Sequence, residues 1–568
     1  MNQSSFDKAT REPNRLWLLI AGCLGLFVCI CTIAIAGVLF VPAEQFTTLR
    51  QLLGLSSAEV GAIEYAPASA PVFAVVNPNF GQLSSFAKLK AIFDKNPAYA
   101  KRLSELVQQS AASTSGALDF QRDVQPWIGA EIALVLLDAP VVGSSTPPNL
   151  VLIAATRDKT KSDEALARIR KQAEDGGATF TEEVYKGVKI VAGHSRTASS
   201  ALAYAAVQNQ VLIGTSADAL KKLIDTKQSG DHTNLASSAV FQRVMAQLPK
   251  DRAASLYVDL HAMAQSAPQS ASADVSALQG AGLALSFTDD GVRLDYVSAY
   301  DLDKAAPAFK QVIEASQPTT GAVFEHLPVS SILSVAGQNL RAFWNYYRDV
   351  ASRDPATSSA IDNMQKQTGI DLDADVFAWM TGAYALGIVP AKPLEALGPT
   401  APGVGALLLF EAKDMSVVKS KLDKIAGVLA QQGLVFTKRT VNGVDVQVLS
   451  GAEGLGLTVG YGFLGNYLVL ASADDVLTTA VDATSAPLSK DAEFLQSTKP
   501  QLQPRSSLTF VSLPRLIEAI KPTLSRSQLN DFQVNSEPLL KPFKSVSFSA
   551  GIPKDNVQAG MMFIHIAE

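Results

Sequence analysis

The sequence predicts an α+β protein: an N-terminal transmembrane helix, then two tandem repeats of mostly antiparallel sheet with helices packed on it. Three observations carry this. One long apolar run stands near the N-terminus. A set of residues recurs in the same order at a nearly constant offset. Strand-like segments outnumber helical ones and meet in hairpins.

The apolar run comes first. From Leu16 to Val41 there are 26 residues without a charge, long enough as a helix (~1.5 Å per residue) to cross a bilayer core of ~30 Å with some tilt. Lys8, Arg11 and Arg15 precede it, and Pro42, Ala43 and Glu44 follow. Positive residues stay on the cytoplasmic side, so the expected topology has residues 1–15 inside as a short tail and everything beyond residue 41 outside. A cleaved signal peptide has a shorter apolar stretch. Ile20-Ala21-Gly22-Cys23 has the form of a bacterial lipobox, with Cys23 as the lipidated residue. A lipoprotein turns polar after that cysteine, however, and here eighteen more apolar residues follow. Cys23, Cys29 and Cys31, the only cysteines, all lie in this run. Thiol catalysis, cysteine ligation and disulfide exchange are therefore excluded from the outer region. The formal net charge of −5 gives no basic footprint for nucleic acid.

Residues 42–64 read as a juxtamembrane linker, 65–300 as the first repeat, 301–322 as a connector and 323–568 as the second repeat. Asp119, Asp123 and Trp127 match Asp371, Asp375 and Trp379 at an offset of 252. Asp158, Gly187 and Asp218 match Asp414, Gly443 and Asp474 at 256, and Leu260 matches Leu513 at 253. Ordered self-similarity with small slips is the signature of a duplicated unit with loop insertions.

Within the first repeat, Val72 to Val76 reads as a strand. Asn96 and Pro97 are placed to open a helix as N-cap and first residue. Ala130 to Leu137 and Leu150 to Ala155 are apolar, strand-like runs. Ser162 is expected to cap a helix that stops at Gly176-Gly177. Hairpins follow at 178–192, 202–214 and 283–298, and in the second repeat Asn442-Gly443 is a strong hairpin turn. Ser472-Ala473-Asp474-Asp475 has a capping-box pattern. Hairpins imply an antiparallel sheet, expected here with helices on one face.

The strings APASAPVFAVV, DVQPWIGAEIALVLL and KGVKIV…LIGTSADAL resemble the bacterial family catalogued as domain of unknown function 3352. The resemblance covers most of the chain from about Tyr65 onward, and Phe377-Ala378 departs from it where the first repeat has Gln125-Pro126. It implies an N-terminal anchor and an extracytoplasmic domain, and carries no catalytic residue.

Chemical motifs are weak. His194, His232, His261, His326 and His565 show neither HExxH nor an i,i+4 pair. Gly193-His194-Ser195-Arg196-Thr197 lacks the last glycine of a nucleophile elbow. Asp371-x-Asp373-x-Asp375 begins like a calcium loop, but Val376 and Gly382 stand where such a loop needs Gly and Glu. The expected role of Asp123 and Asp375 is helix capping. Gly454, Gly456, Gly460 and Gly462 lack the phosphate-loop lysine and read as turn and strand glycines. Leu340, Phe343, Trp344, Tyr347 and Val350 share a helical face, expected in the core, with an apolar groove as the alternative. No cofactor or metal is implied.

Two long loops remain, Ala139 to Asn149 and Pro390 to Gly405. Pro390, Lys392, Pro393, Leu394 and Leu397 are the candidate partner contacts, because long loops on a rigid sheet gather binding residues. The expectation is a single-pass, membrane-anchored extracytoplasmic protein, bound to the bilayer through residues 16–41. It acts as a non-enzymatic binding or scaffolding module of the cell envelope, its partner an envelope protein or an apolar ligand. Two alternatives stay open: an envelope hydrolase using carboxylates from separate loops, and a carrier of an apolar ligand.

Overall fold

A computed structural model describes residues 61–76, 83–99, 101–102, 124, 126–139, 148–194, 202–230, 232–265, 276–393, 403–450 and 459–568. Among them no helix is long and apolar enough to cross a membrane; the run 16–41 lies outside the described residues.

The chain forms two compact units. The first gathers residues up to 83, 111–285 and 298–304; the second gathers 84–110, 286–297 and 305–568. Both are α+β. The strands of the first half are β1 (Val72–Val76), β2 (Ile128–Leu136), β3 (Leu150–Thr156), β4 (Thr179–Tyr185), β5 (Val188–His194), β6 (Leu202–Val207), β7 (Gln210–Gly214), β8 (Ala254–Asp259), β9 (Leu278–Thr288) and β10 (Gly291–Tyr300). Their antiparallel ladders run in the order β4-β5-β6-β7-β3-β2-β1-β8-β9. The second half has β11 (Leu333–Gln338), β12 (Ala383–Pro390), β13 (Val404–Glu411), β14 (Val435–Val441), β15 (Val444–Ser450), β16 (Gly460–Leu464), β17 (Tyr467–Ala471), β18 (Arg505–Ser512), β19 (Phe543–Gly551) and β20 (Val557–Ile566). These pair as β14-β15-β16-β17-β13-β12-β11-β18-β19-β20, again antiparallel throughout. Ladder for ladder, the order of the first nine strands recurs.

Local chemistry recurs with it. Between β4 and β5 the turn residues Lys186 and Gly187 have φ 48° and 81°; between β14 and β15, Asn442 and Gly443 have 47° and 84°. Two successive left-handed residues match the right-handed twist of the strands they join. The helices Lys159–Asp175 and Met415–Gln431 open on Asp158 and Asp414, whose carboxylates accept from backbone N–H groups of the first turn. Ser162, expected as the cap, lies inside its helix and donates to the Lys159 carbonyl. The aspartate won because its extended backbone puts its carboxylate beneath the free N–H groups. Asn96 caps as expected, accepting from the Ala98 N–H at 3.1 Å. Ser216 caps the helix Ala217–Ser229, but its counterpart Ser472 instead accepts from the Ala406 N–H, so no capping box forms before Asp474.

In the second unit helices lie on both faces of the sheet, not one. Leu407 and Leu409 of β13 join the main core with Val476, Leu477 and Phe494. The neighbouring Phe410 meets Trp379 edge-to-face at 6.0 Å. Trp379 packs with Leu422 against Ala412, Val418 and Leu468. Alternate side chains of a strand point to opposite faces, so β13 and β17 are sandwiched. Trp127 occupies the matching place beside Ala154, Ala165, Leu166 and Val211 and is buried, whereas Trp379 is half-buried.

Candidate functional site

In the second unit one sheet face is only half-buried among the described residues. Strands β12 and β19 alternate between buried and half-buried residues, and β11, β18 and β20 do so over most of their length. The buried side includes Ala336, Ala385, Leu508, Phe510 and Phe563. On the other side, Ile388 lies beside Leu333, Leu333 beside Val511, Val511 beside Val546, and Val546 beside Ile564. A second row runs Leu386, Val335, Thr509, Phe548, Met562 in the same order. Only Thr509 is polar, and every one of these side chains is half-buried rather than closed off. Five strands ~4.8 Å apart make this surface roughly 19 Å wide.

The helix Leu83–Asp94 of this unit packs against the sheet, with Phe86 and Leu89 buried and the Phe93 ring 5.7 Å from that of Phe543 on β19. Other helices of the unit bury little. Pro307–Glu314, Pro355–Thr368 and Leu513–Ile520 contain no buried residue, and Leu340–Ser352 contains only Ala351. The aromatic face of Leu340–Ser352 is therefore not the core stripe expected. Phe343 is 60% exposed and Tyr347 50%. Trp344 stacks on Phe377 at 4.1 Å, and its indole N–H donates to Asp373.

The three aspartates that start like a calcium loop do three different things. Asp371, not Asp375, caps the short helix Leu372–Phe377, accepting from the Ala374 N–H at 3.1 Å. Asp373 takes the Trp344 indole. Asp375 is buried, accepts from the Asp371 N–H and pairs with Lys421 and Lys424. Burial pushes its carboxyl up, but the hydrogen bonds from the two lysines and the backbone outweigh that and hold it well below the usual carboxylate range. This is a structural clamp on the helix Met415–Gln431, with its oxygens already committed.

A buried polar ladder on β19 was not among the residues singled out from the sequence. Ser545, Ser547 and Ser549 are fully buried. Ser545 donates to Glu493, Ser547 to the Ser497 carbonyl and Ser549 to Gln501, while the Gln501 amide donates to Ser547 at 2.7 Å. His565 Nδ1 meets Glu493 at 2.7 Å. Burial raises the Glu493 carboxyl, and its bonds to His565 and Ser545 outweigh this and leave it below its ordinary value. The carboxylate sits between serine and imidazole, so the histidine does not reach the hydroxyl as a base must in nucleophilic catalysis. A serine at every second position was the only hint.

A family model described as a protein of unknown function, DUF3352, matches residues 24–566. The chain belongs to this family. No curated protein matches. Among solved structures, crystal forms IV and III of TP0453 are similar at 10% identity, over 42% and 43% of this chain and 81% and 82% of theirs. Their TM-scores of 0.24 and 0.23 carry no argument.

In this DUF3352 chain the predicted contact loop is described only at its base. Pro390 ends β12 opposite Val404, and the Ala391 N–H continues the ladder to the Gly403 carbonyl. The Lys392 N–H donates to Asp475 at 2.7 Å. The side chains of Pro390, Lys392 and Pro393 are exposed. Leu394 and Leu397 lie outside the described residues, as do 140–147 of the first loop. The structure thus separates the loop base from the half-buried apolar face: the base is bound to the helix Asp474–Asp482, which packs on the closed side.

Proposed function

We propose that this DUF3352 protein is a membrane-anchored, extracytoplasmic binding module without enzymatic activity, and that it binds an acyl-type apolar ligand on the half-buried face of β11, β12, β18, β19 and β20. The observation that carries the reading is that two adjoining rows of aliphatic and aromatic side chains stay half-buried while their neighbours on the same strands are closed off. Apolar surface left in water costs about 25 cal/mol per Å², so an occupant that dries it is stabilised. The rows contain no charge and one hydroxyl, which suits a hydrocarbon chain better than a peptide with backbone groups to satisfy. The run Leu16–Val41 supports an anchor beside a bilayer, where such chains are found. The recurrence of ladder order, of the Gly187 and Gly443 turns and of the Trp127 and Trp379 packing supports an origin of the two halves by duplication.

The test uses the full chain in lipid nanodiscs with a photoreactive acyl probe. Crosslinks are expected on peptides containing Val546–Phe548 and Met562–Ile564, and Val546→Asp should remove them. Labelling confined to 16–41 would sink the ligand assignment. A reporter fused after Glu568 should be active only outside the cytoplasm, and cytoplasmic activity would overturn the topology.

A further inference from the structure

The second unit holds a cleft of about 360 Å³ where the turn between β14 and β15, the turn between β16 and β17 and the end of the helix Asp474–Asp482 meet. Its walls are Val444, Leu464 and Val481; its polar groups are His326, Asn442 and Asp482, with the hydroxyls of Thr484 and Ser485 at the end of the helix.

The matching place in the first unit is filled. Backbone bonds fix the correspondence: the Leu235 N–H donates to the Ala66 carbonyl and the Leu488 N–H to the Leu327 carbonyl, each at 2.7 Å. Tyr65 therefore stands where the second unit has His326. Tyr65 is 1% exposed, and the Lys227 ammonium lies 5.6 Å over its ring while pairing with Glu64. Counting from Ser216 and Ser472, the residue in the place of Lys227 is Ala483. The helix is also shorter, ending at Asp482 where the first continues to Ser229 past the matching Thr226. A long stem becomes a methyl group, and a phenol becomes an imidazole.

The imidazole is left wanting. His326 Nδ1 is buried with no hydrogen-bond partner, and its ring lies 4.7 Å from that of Tyr467. Burial lowers its pKa, only partly opposed by Glu325, so the ring is neutral at pH 7. The Asn442 amide donates to Asp482, and both line the cleft. Among the described residues, no cationic side chain lines the cleft.

We propose that this cleft binds a neutral, hydroxyl-rich ligand, the terminal residue of a glycan. A carboxylate with no balancing cation repels phosphates and acids. A neutral imidazole, an amide, a carboxylate and hydroxyls together ask for groups that both give and accept hydrogen bonds, as sugar hydroxyls do. The Val444, Leu464 and Val481 walls suit the C–H face of a pyranose. This is independent of the acyl-binding reading.

The experiment places the full chain in nanodiscs, free of glycoside detergents, and measures saturation-transfer NMR with glucose, mannose, galactose and N-acetylglucosamine. Glycine betaine and inorganic phosphate serve as charged comparisons. At least one neutral sugar should bind saturably. Ala483→Lys, which restores the first unit's filling, should weaken that binding at least tenfold without lowering the thermal midpoint. His326→Gln gives a second reading should the lysine disturb folding, and it too should weaken binding. Absence of sugar binding, binding indifferent to both variants, or binding of only the charged probes overturns the proposal.

Discussion

The two sheets share a ladder order and differ in what covers them. In the first unit Val72, Ala74 and Val76 of β1, Leu134 and Leu136 of β2 and Ala254 and Leu256 of β8 are buried, and so are Phe73, Ala133, Val135 and Tyr257 between them. Both faces are closed. In the second unit the matching β11, β12 and β18 are closed on one face only. A sheet buried on both sides is committed to stability, whereas one with a half-buried apolar face keeps surface that a ligand can dry. The same backbone thus serves as scaffold in one unit and as candidate binding surface in the other.

A second contrast lies in the helix that packs on β9 or β19. In the first unit Val240, Val244 and Leu248 sit over Gly280 and Gly282, so closely that a Cβ on Gly282 would stand 2.5 Å from Val244 Cγ1. At the matching positions the second unit has Glu493, Ser497 and Gln501 over Ser545, Ser547 and Ser549. One joint is dry and fits by shape. The other is polar and fits by hydrogen bonds, in which Ser497 serves through its carbonyl while its own hydroxyl is buried without a partner; losing a bond there would leave a further buried group unsatisfied, at about 1–3 kcal/mol.

The largest expected effect sharpens the first contrast. Trp127→Ala should cost about 3–5 kcal/mol by cavity formation, and Trp379→Ala less than half of that, because Trp379 keeps partial contact with water. Urea denaturation of both variants checks this, and equal losses would break the claim that the tryptophans differ in burial. Next comes the polar joint. Gln501→Leu alone should destabilise by roughly 2 kcal/mol, since Ser547 and Ser549 lose partners. Combined with Ser547→Gly and Ser549→Ala, which copy Gly282 and Ala284, it should regain at least half. No recovery would mean the two joints are not interchangeable solutions.

Asp375 gives a pH test. Its folded pKa is depressed, so its contribution is present above the unfolded value of about 4 and is lost as pH falls through the folded value. Asp375→Asn should cost about 2 kcal/mol at pH 7, with the gap to wild type narrowing below pH ~4. A gap that stays constant down to pH ~2 would remove the ion pairs as its cause. The smallest effect is expected on the half-buried face. Val335→Ala and Val546→Ala should each cost only about 1 kcal/mol, because half-buried methyl groups leave little cavity, yet weaken acyl-probe binding.

Much of the fold was legible. The apolar runs that became β2 and β3, the Asn442-Gly443 turn and the Asn96 cap are local preferences that tertiary packing did not override. Misreadings cluster where several residues compete for one role. Asp158 displaced Ser162, and Asp371 displaced Asp375, because backbone conformation rather than residue type selects the cap. The aromatic stripe of Leu340–Ser352 looked like core because periodicity shows that a helix has an apolar face, not whether anything covers it.

By itself the sequence determined the uncharged span Leu16–Val41, the cysteine-free stretch beyond it, the ordered recurrence between the halves and the antiparallel α+β class, since each follows from local pattern or counting. Only the tertiary structure decided which sheet face stays half-buried, that Glu493 and His565 meet across 72 residues, and that Ala483 and His326 stand where the first unit has Lys227 over Tyr65. These depend on which side chains meet across ladders and helices, and contacts between residues far apart in sequence leave no local pattern to read.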